Sequence, residues 1–420
     1  MKKAITLQEI IQLRKNIQLS AKTIEQFYVS PVLNGESQTY EAIYQFLQTT
    51  YDTPQKIILA GPKGAGKRTL LCYLSNNRLD RFYIIPIHLL KSLDPMDIRP
   101  VDFIFCLLHH LIQDLAQWKR RLDPSVINSI YQNLHDEELI NILKFKKSEA
   151  GDEEGTKIGF VKTMIIAIVD ALSTTDTTVR FRVRESLEPC LRLIIRSIQK
   201  IIDYMNGILQ QKDQKLLIIF DDIDQFDPST VEPFFKDHFF MTERLHVHMI
   251  YTMPDFIRFS NFFEILSQRV DRIIFMRPVP VLNPDQTSFH PGLLHIKKIV
   301  DQCIDSQLIP ESIYDQIITA SGGILHHVFD MLIDTSLNTL IIDPSSQMLL
   351  PKAFEKTKQT FSRHLIQQMN QKQIELLKQI NLSHPAWYND KNIQHLMARN
   401  ILIEYENNGH VWFAVHPLVV

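Results

Sequence analysis

Three glycines and a lysine form the clearest chemical motif of the sequence. In IILAGPKGAGKRTLL, the residues Gly61, Gly64, Gly66 and Lys67 have the spacing GxxxxGK, between an apolar run and a helical pattern. Glycines let the backbone turn tightly and direct N–H groups at phosphate oxygens, while the helix N-terminus and the lysine add positive charge. The motif therefore predicts a loop that binds the phosphates of a nucleotide.

The loop departs from the usual pattern directly after its lysine. Ser or Thr normally gives a hydroxyl to Mg²⁺ at that position, whereas this sequence has Arg68, with Thr69 one step later. Either Thr69 or a water replaces this Mg²⁺ ligand, in which case the protein would be an ATPase. Alternatively, metal binding is weakened, in which case the protein would be a nucleotide-binding scaffold. The predicted nucleotide contacts are Gly61, Pro62, Lys63, Gly64, Ala65, Gly66, Lys67, Arg68 and Thr69.

A second motif is the pair of aspartates in LLIIFDDIDQFD. Asp221 and Asp222 follow a run of apolar residues, and open parallel sheets bind ligands at the carboxyl ends of their strands. We expect Asp221 to hold Mg²⁺ together with Thr69, Asp222 to act as general base on the attacking water, and Asp224 to support them. Taken alone, the acids are equally well explained as a turn that caps a strand.

Thr252 ends the apolar run LHVHMIYTMP, where a polar side chain could sense a terminal phosphate or the lytic water. A simple turn before Pro254 explains it nearly as well. The predicted catalytic set is therefore Lys67, Asp222 and Thr252. Arg269 and Arg272 could reach the nucleotide of a neighbouring subunit, although surface arginines are the more common case.

The elements that position these residues follow from the apolar pattern. Short continuous apolar runs separated by helical stretches are typical of a parallel sheet that is buried on both faces. The long interval between the second and third runs exceeds one crossover helix and predicts a helical insertion. The five predicted strands are KIILA at 56–60, FYIIPI at 82–87, LLIIF at 216–220, VHMIY at 247–251 and RIIFM at 272–276.

Proline-rich segments divide the rest of the chain. The segment RPVPVLNPDQTSFHPG and the segment IIDPSSQMLLP separate helical regions, and the loop at 146–157 is predicted to be exposed. After residue 370 the pattern predicts two helices and a hairpin turning at Asn407, Asn408 and Gly409. The predicted domains are an N-terminal helical segment at 1–50, an α/β core at 51–280 with an insertion at about 100–210, a helical lid at 281–345 and a C-terminal domain at 346–420.

With both motifs in order, the chain resembles the AAA+ and STAND classes of P-loop ATPases, including initiator-type members with a C-terminal winged helix. The resemblance implies an α/β P-loop NTPase core, ATP and Mg²⁺ as cofactors, and a nucleotide-dependent switch. It places Thr252 at the sensor 1 position and ASGGILHHVFDML at the start of the lid helix, where His326 replaces the usual sensor 2 arginine. It also allows a homo-oligomer.

Charge and composition bear on partners and location. The net charge is −2, and the C-terminal unit lacks a basic stripe, because Asp390 accompanies Lys391 and Arg399 while Glu404 and Glu406 flank the hairpin. We therefore expect protein docking there rather than DNA binding, which stays a third hypothesis. Four dispersed cysteines, with neither a signal peptide nor a bilayer-length apolar run, predict a cytoplasmic protein without membrane contact.

Overall fold

The computed structural model describes residues 3–17, 38–77, 79–120, 123–144, 157–379 and 390–419. The strands are β1 Lys56–Ala60, β2 Phe82–His88, β3 Lys215–Asp221, β4 His248–Met253, β5 Arg272–Phe275, β6 Leu402–Asn407 and β7 His410–Val415. The first helices are α1 Leu7–Ile17, α2 Gln38–Thr49, α3 Lys67–Asn77, α4 Pro100–Gln117, α5 Pro124–Leu134, α6 Glu137–Ile142, α7 Lys157–Ser173, α8 Thr177–Leu187 and α9 Leu191–Gln210. The later helices are α10 Pro228–Pro233, α11 Phe239–Thr242, α12 Phe263–Arg269, α13 His290–Cys303, α14 Glu311–Ala320, α15 Leu325–Ile342, α16 Pro351–Gln367, α17 Gln371–Gln379 and α18 Lys391–Ala398.

A five-stranded parallel sheet forms the centre of the core, in the order β2-β3-β4-β1-β5. All five strands predicted from the apolar runs are confirmed, within one or two residues at their ends. Strands β1 and β4 are buried along their whole length, and this explains their continuous apolar sequence. The carboxyl ends of β1, β3 and β4 consequently meet at one edge, where the phosphate loop and the acids lie.

Helices cover both faces of the sheet. On one face, Leu47 of α2 and Leu74 of α3 share a buried hydrophobic cluster with Leu59 of β1. On the other face, α4 and other helices of the insertion pack onto the sheet in a larger cluster that includes Phe103 and Phe220. The observed fold is therefore the predicted α/β P-loop NTPase fold, with six helices between β2 and β3 among the described residues.

A buried ion pair joins two helices of the insertion. Arg184 of α8 binds both carboxylate oxygens of Asp102 on α4, at 2.9 and 2.6 Å, and also contacts Asp97. Arg184 and Asp102 are almost fully buried. Because each charge is desolvated, neither would be tolerated without the other.

The lid and the C-terminal unit complete the fold. Helices α13, α14 and α15 share a hydrophobic cluster with α1, whose Leu7, Ile10 and Leu13 are buried there. The predicted helix, helix and hairpin after residue 370 are present as α17, α18 and β6 with β7. Asn408 and Gly409 turn the hairpin with positive φ angles, as two-residue hairpin loops require.

Some sequence predictions are not settled by these observations. The domain boundaries stay predictions, and the loop predicted at 146–157 lies, apart from its last residue, outside the described residues. The apolar stretch at 158–172 is helical in α7, and one side of it, which includes Met164 and Ile168, is buried. Among the described residues, no helix combines the length and the apolar character that crossing a bilayer requires.

Replacing Asp102 with Ala should strongly destabilise the core. The substitution leaves Arg184 buried without its bidentate partner and removes a carboxylate that accepts from the N–H of Arg99. We expect the free energy of unfolding, measured in urea by circular dichroism, to fall by about 3–5 kcal/mol.

The matched control is Glu355→Ala, which removes a surface ion pair with Lys358. That change should alter the free energy of unfolding by less than about 0.5 kcal/mol. Equal losses in the two variants would show that the buried pair contributes no more to stability than a surface pair.

Candidate functional site

The phosphate loop connects β1 to α3 in the geometry that the motif requires. Gly64 and Gly66 have φ angles of 82° and 102°, which residues with a side chain rarely adopt. A Cβ on Gly64 would also lie 2.6 Å from the Cβ of His326 in the lid. Helix α3 begins at Lys67, so the free N–H groups of its first turn face the loop.

Lys67 points back into its own loop and is only 3% exposed. Its Nζ donates to the carbonyl oxygens of Gly61 and Pro62 at 2.7 and 2.8 Å. It also forms a salt bridge with Asp224 Oδ2 at 2.8 Å, and both side chains are buried. The lysine that was predicted to grip phosphates therefore already holds a carboxylate, which is a chemically similar anion.

Arg68 occupies the space in front of the acidic pair. Its Nε donates to Asp221 Oδ2 at 2.6 Å, and its Nη2 binds Asp222 Oδ1. Asp222 adopts a left-handed backbone conformation with φ of 77°, and its N–H donates to Asp221 Oδ1 at 2.8 Å. This sharp turn directs both carboxylates at the first turn of α3, where Arg68 bridges them.

Burial and neighbouring charges give the two aspartates different proton affinities. Burial raises the pKa of Asp221, but the hydrogen bond with His88 and the charge of Arg68 outweigh it and hold this pKa below its ordinary value. Burial, followed by repulsion from Asp221, raises the pKa of Asp222 to about 6. Of the two, Asp222 is electrostatically better suited to accept a proton, although Arg68 binds it.

His88 is a site residue that the sequence prediction missed. It ends β2 and pairs in register with Asp221 of β3, and its Nδ1 lies 3.3 Å from Asp221 Oδ2. The available signal was the histidine directly after the apolar run FYIIPI. Recognising it required knowing that β2 neighbours β3 in the sheet.

The fit of this cluster to Mg²⁺ depends on Arg68. His88, Asp221 and Asp222 each offer one ligand atom, and these atoms lie within 4.8 Å of one another. Divalent cations favour such oxygen-rich sets. However, Arg68 binds an oxygen of each carboxylate, and a guanidinium and a metal cannot share that space. The side chains as arranged therefore do not fit Mg²⁺.

Thr252, Thr69 and Arg269, which the sequence also singled out, have local surroundings of their own. Thr252 is fully buried, and its Oγ1 accepts from the N–H of Ile223 at 3.1 Å. Thr69 is half-buried in the first turn of α3. The roles of Thr252 as sensor, Thr69 and Asp221 as metal ligands and Asp222 as base stay predictions. Arg269 forms a surface pair with Glu243 at 3.1 Å.

The C-terminal unit and the lid touch the phosphate loop directly. Asn400 Nδ2 donates to the carbonyl oxygen of Lys63 at 3.0 Å, and the N–H of His326 donates to the carbonyl of Gly64 at 3.4 Å. The hydroxyl of Tyr405 on β6 donates to the carbonyl of Gly322 in the lid at 2.6 Å. Three segments that are distant in sequence are thus connected at this loop.

Charged residues hold the hairpin against the core. Glu404 of β6 is 2% exposed and pairs with Arg258 and Arg277, which follow β4 and β5. Arg277 also binds Glu406. The acids that the sequence placed beside the hairpin therefore bind arginines of the α/β core.

A cavity of about 260 Å³ lies between the loop and α18. Its polar lining includes Lys63, Asp224, Asp255, His395 and Arg399. Asp255 Oδ1 is buried without a hydrogen-bond partner among the described residues. Burial, followed by repulsion from Glu404, raises the pKa of Asp255 to about 6. The cavity connects the phosphate loop to charged groups of the C-terminal unit.

The comparisons with known proteins agree with this geometry. Residues 36–243 match the profile of the KAP family P-loop domain. This region contains the phosphate loop, the helical insertion and the acidic pair. The parallel sheet, the loop and this match together define a P-loop NTPase domain, and they support nucleotide binding.

Solved structures resemble the chain only at low similarity. Cdc6p from Pyrobaculum aerophilum is 11% identical, with 94% of each chain covered and a TM-score of 0.41. A Walker-type ATPase of Pyrococcus abyssi is 12% identical, with 94% of this chain and 98% of that chain covered and a TM-score of 0.39. A comparison with curated proteins finds no match.

Replacing Asp255 with Asn should stabilise the protein in a pH-dependent manner. A buried carboxyl whose pKa is raised to about 6 binds its proton more tightly in the folded chain than in the unfolded chain. Its ionisation therefore costs stability that grows from about pH 4 to about pH 6 and is constant above that range. Asn imitates the protonated form. We expect a gain of about 2–3 kcal/mol in the free energy of unfolding at pH 7.

The gain should shrink as the pH falls from 6 towards 4, because the wild-type carboxyl then gains its proton in both states. Urea unfolding of both proteins at pH 4, 5, 6 and 7 measures the difference. A gain that is constant across this range would contradict the assigned titration.

Proposed function

We propose that this protein is a nucleotide-operated switch in which the phosphates of ATP displace an internal carboxylate from Lys67. The observation that carries the proposal is the buried salt bridge between Lys67 and Asp224 at 2.8 Å. A lysine in a phosphate loop that already holds an anion is arranged to exchange it for another. The exchange replaces one charge-assisted contact by another, so its net free energy is small enough to be reversible.

The exchange has consequences beyond the loop. When the phosphates bind Lys67, the carboxylate of Asp224 loses its cationic partner. It remains buried, because its side chain is only 7% exposed. An unpaired buried carboxylate is unfavourable, so Asp224 must move or find another cation. Lys63, His395 and Arg399 line the same cavity as Asp224. We therefore expect the Asp224 carboxylate to move towards these residues, two of which belong to the C-terminal unit.

The C-terminal unit is placed to respond to this movement. Asn400 of the C-terminal unit and His326 of the lid contact carbonyl groups of the loop itself. A loop that opens around phosphates must therefore alter both contacts. We infer that bound nucleotide loosens the unit from the core and exposes it to a protein partner. In the present arrangement Glu404 and Glu406 are bound to arginines of the core.

A nucleotide-binding scaffold with little hydrolysis is the second candidate. It is favoured by Arg68, which binds Asp222, the residue predicted to act as general base. DNA binding receives less support, because α18 packs on the core and Gln394 donates to the carbonyl of Phe259 at 3.2 Å. Reading DNA with α18 would require the whole unit to undock.

Replacing Asp224 with Asn should strengthen ATP binding. The variant removes the internal carboxylate that competes with phosphate for Lys67, so we expect the Kd for a fluorescent ATP analogue to fall by about tenfold. The thermal midpoint without nucleotide should fall, because Lys67 loses its partner. Lys67→Ala should abolish measurable binding.

The matched control is Asp227→Asn on the same segment. Asp227 caps α10 through Ser229, and Asn caps helices equally well, so the Kd should change by less than about twofold. Unchanged affinity in Asp224→Asn would refute competition between the carboxylate and phosphate.

Hydrogen exchange tests the proposed loosening. Addition of ATP should speed amide exchange over residues 391–407, because α18 and β6 lose their contacts with the core. Lys67→Ala should show no such response. The distant helix α7, Lys157–Ser173, serves as an internal reference that should not change. Slower exchange over 391–407 with bound ATP would contradict the switch.

A further inference from the structure

Arg68 stands where a P-loop protein ordinarily binds its metal. It is the residue directly after the loop lysine, and the first turn of α3 carries it to the acidic pair. Nε donates to Asp221 at 2.6 Å while Nη2 of the same guanidinium binds Asp222. One side chain thus bridges the two carboxylates that a metal would otherwise bridge.

The surroundings of Arg68 are built around this bridge. Asp221 and Asp222 are 4% and 0% exposed. His88 Nδ1 lies 3.4 Å from Arg68 Nη2 and 3.3 Å from Asp221 Oδ2, which adds a third polar group to the same cluster. Gln225 Nε2 donates to Asp222 Oδ1 at 2.9 Å. His88 and Gln225 therefore help to hold the two carboxylates in position beside Arg68.

The energetics favour keeping the arginine in place. Two adjacent buried carboxylates without a counter-ion are strongly unfavourable, and arginine keeps its charge at every physiological pH. A planar guanidinium also matches paired carboxylate oxygens better than a point charge does. A divalent cation would have to break this bridge and displace the guanidinium of Arg68 from both carboxylates.

We propose that Arg68 is the resident cation of this site, so that the protein binds a nucleoside triphosphate without needing a divalent metal. The guanidinium neutralises Asp221 and Asp222, and the loop amides with Lys67 receive the phosphates. This inference rests on the proposed function. It assigns Arg68 as the residue that determines metal dependence.

Arg68→Ser provides the test, because it restores a hydroxyl at the metal position and frees the acids. In wild type, the Kd for a fluorescent ATP analogue should differ by less than about threefold between EDTA and excess Mg²⁺. In Arg68→Ser, unshielded carboxylates should repel phosphate in EDTA, and Mg²⁺ should tighten binding by about tenfold or more. Arg363→Ser, at an exposed arginine of α16, should behave as wild type.

Manganese binding without nucleotide gives an independent readout. The electron paramagnetic resonance signal of free Mn²⁺ should fall on addition of Arg68→Ser protein, because His88, Asp221 and Asp222 become available. It should persist with wild type and with Arg68→Ser combined with Asp221→Asn. Circular dichroism establishes that each variant is folded.

The outcomes of these experiments distinguish the role of Arg68 from the proposed nucleotide-operated switch. Wild type that binds ATP only with Mg²⁺, by a margin of about tenfold or more, would overturn the role of Arg68 while leaving the switch intact. A folded Arg68→Ser protein with the wild-type ratio of affinities would do the same. Wild type that binds ATP in neither buffer would overturn both proposals. The wild-type comparison needs no variant, so it decides the matter even where Arg68→Ser does not fold.

Discussion

The buried ion pair between Lys67 and Asp224 is the constraint on which the rest of the site depends. A lysine that is 3% exposed is stabilised by an anionic partner, because an unpaired charge at that depth is strongly unfavourable. In this structure the partner comes from the segment after β3, and a nucleotide phosphate would have to replace it. Whatever binds the loop must therefore compete with the protein's own carboxylate.

Buried charges are neutralised by opposite charges elsewhere at this edge of the sheet as well. Arg68 neutralises Asp221 and Asp222, and arginines after β4 and β5 neutralise Glu404 of the C-terminal hairpin. These pairs connect the phosphate loop, the acidic strand end and the C-terminal unit through neighbouring charges. The switch that we propose would act through such contacts, because Asn400 of the C-terminal unit donates to the carbonyl oxygen of Lys63 in the loop.

Much of the fold could be predicted because its determinants are local. The buried parallel strands are continuous apolar runs, and the glycines of the loop mark backbone turns, so both were recognisable from neighbouring residues. The partners of the charged groups were not. The position of His88 beside Asp221 depends on the register of β2 and β3, and the pairing of Lys67 with Asp224 depends on how two loops meet. Such contacts depend on which segments the folded sheet brings together. The pattern of apolar residues along the sequence does not predict them.

The most direct measurement of the central claim is a crystal structure with a non-hydrolysable ATP analogue. The account predicts that the phosphates lie against the N–H groups of the loop, with Lys67 Nζ bonded to a phosphate oxygen and separated from Asp224. A structure in which the analogue is bound at the loop while Lys67 and Asp224 remain paired as they are here, at 2.8 Å, would contradict it.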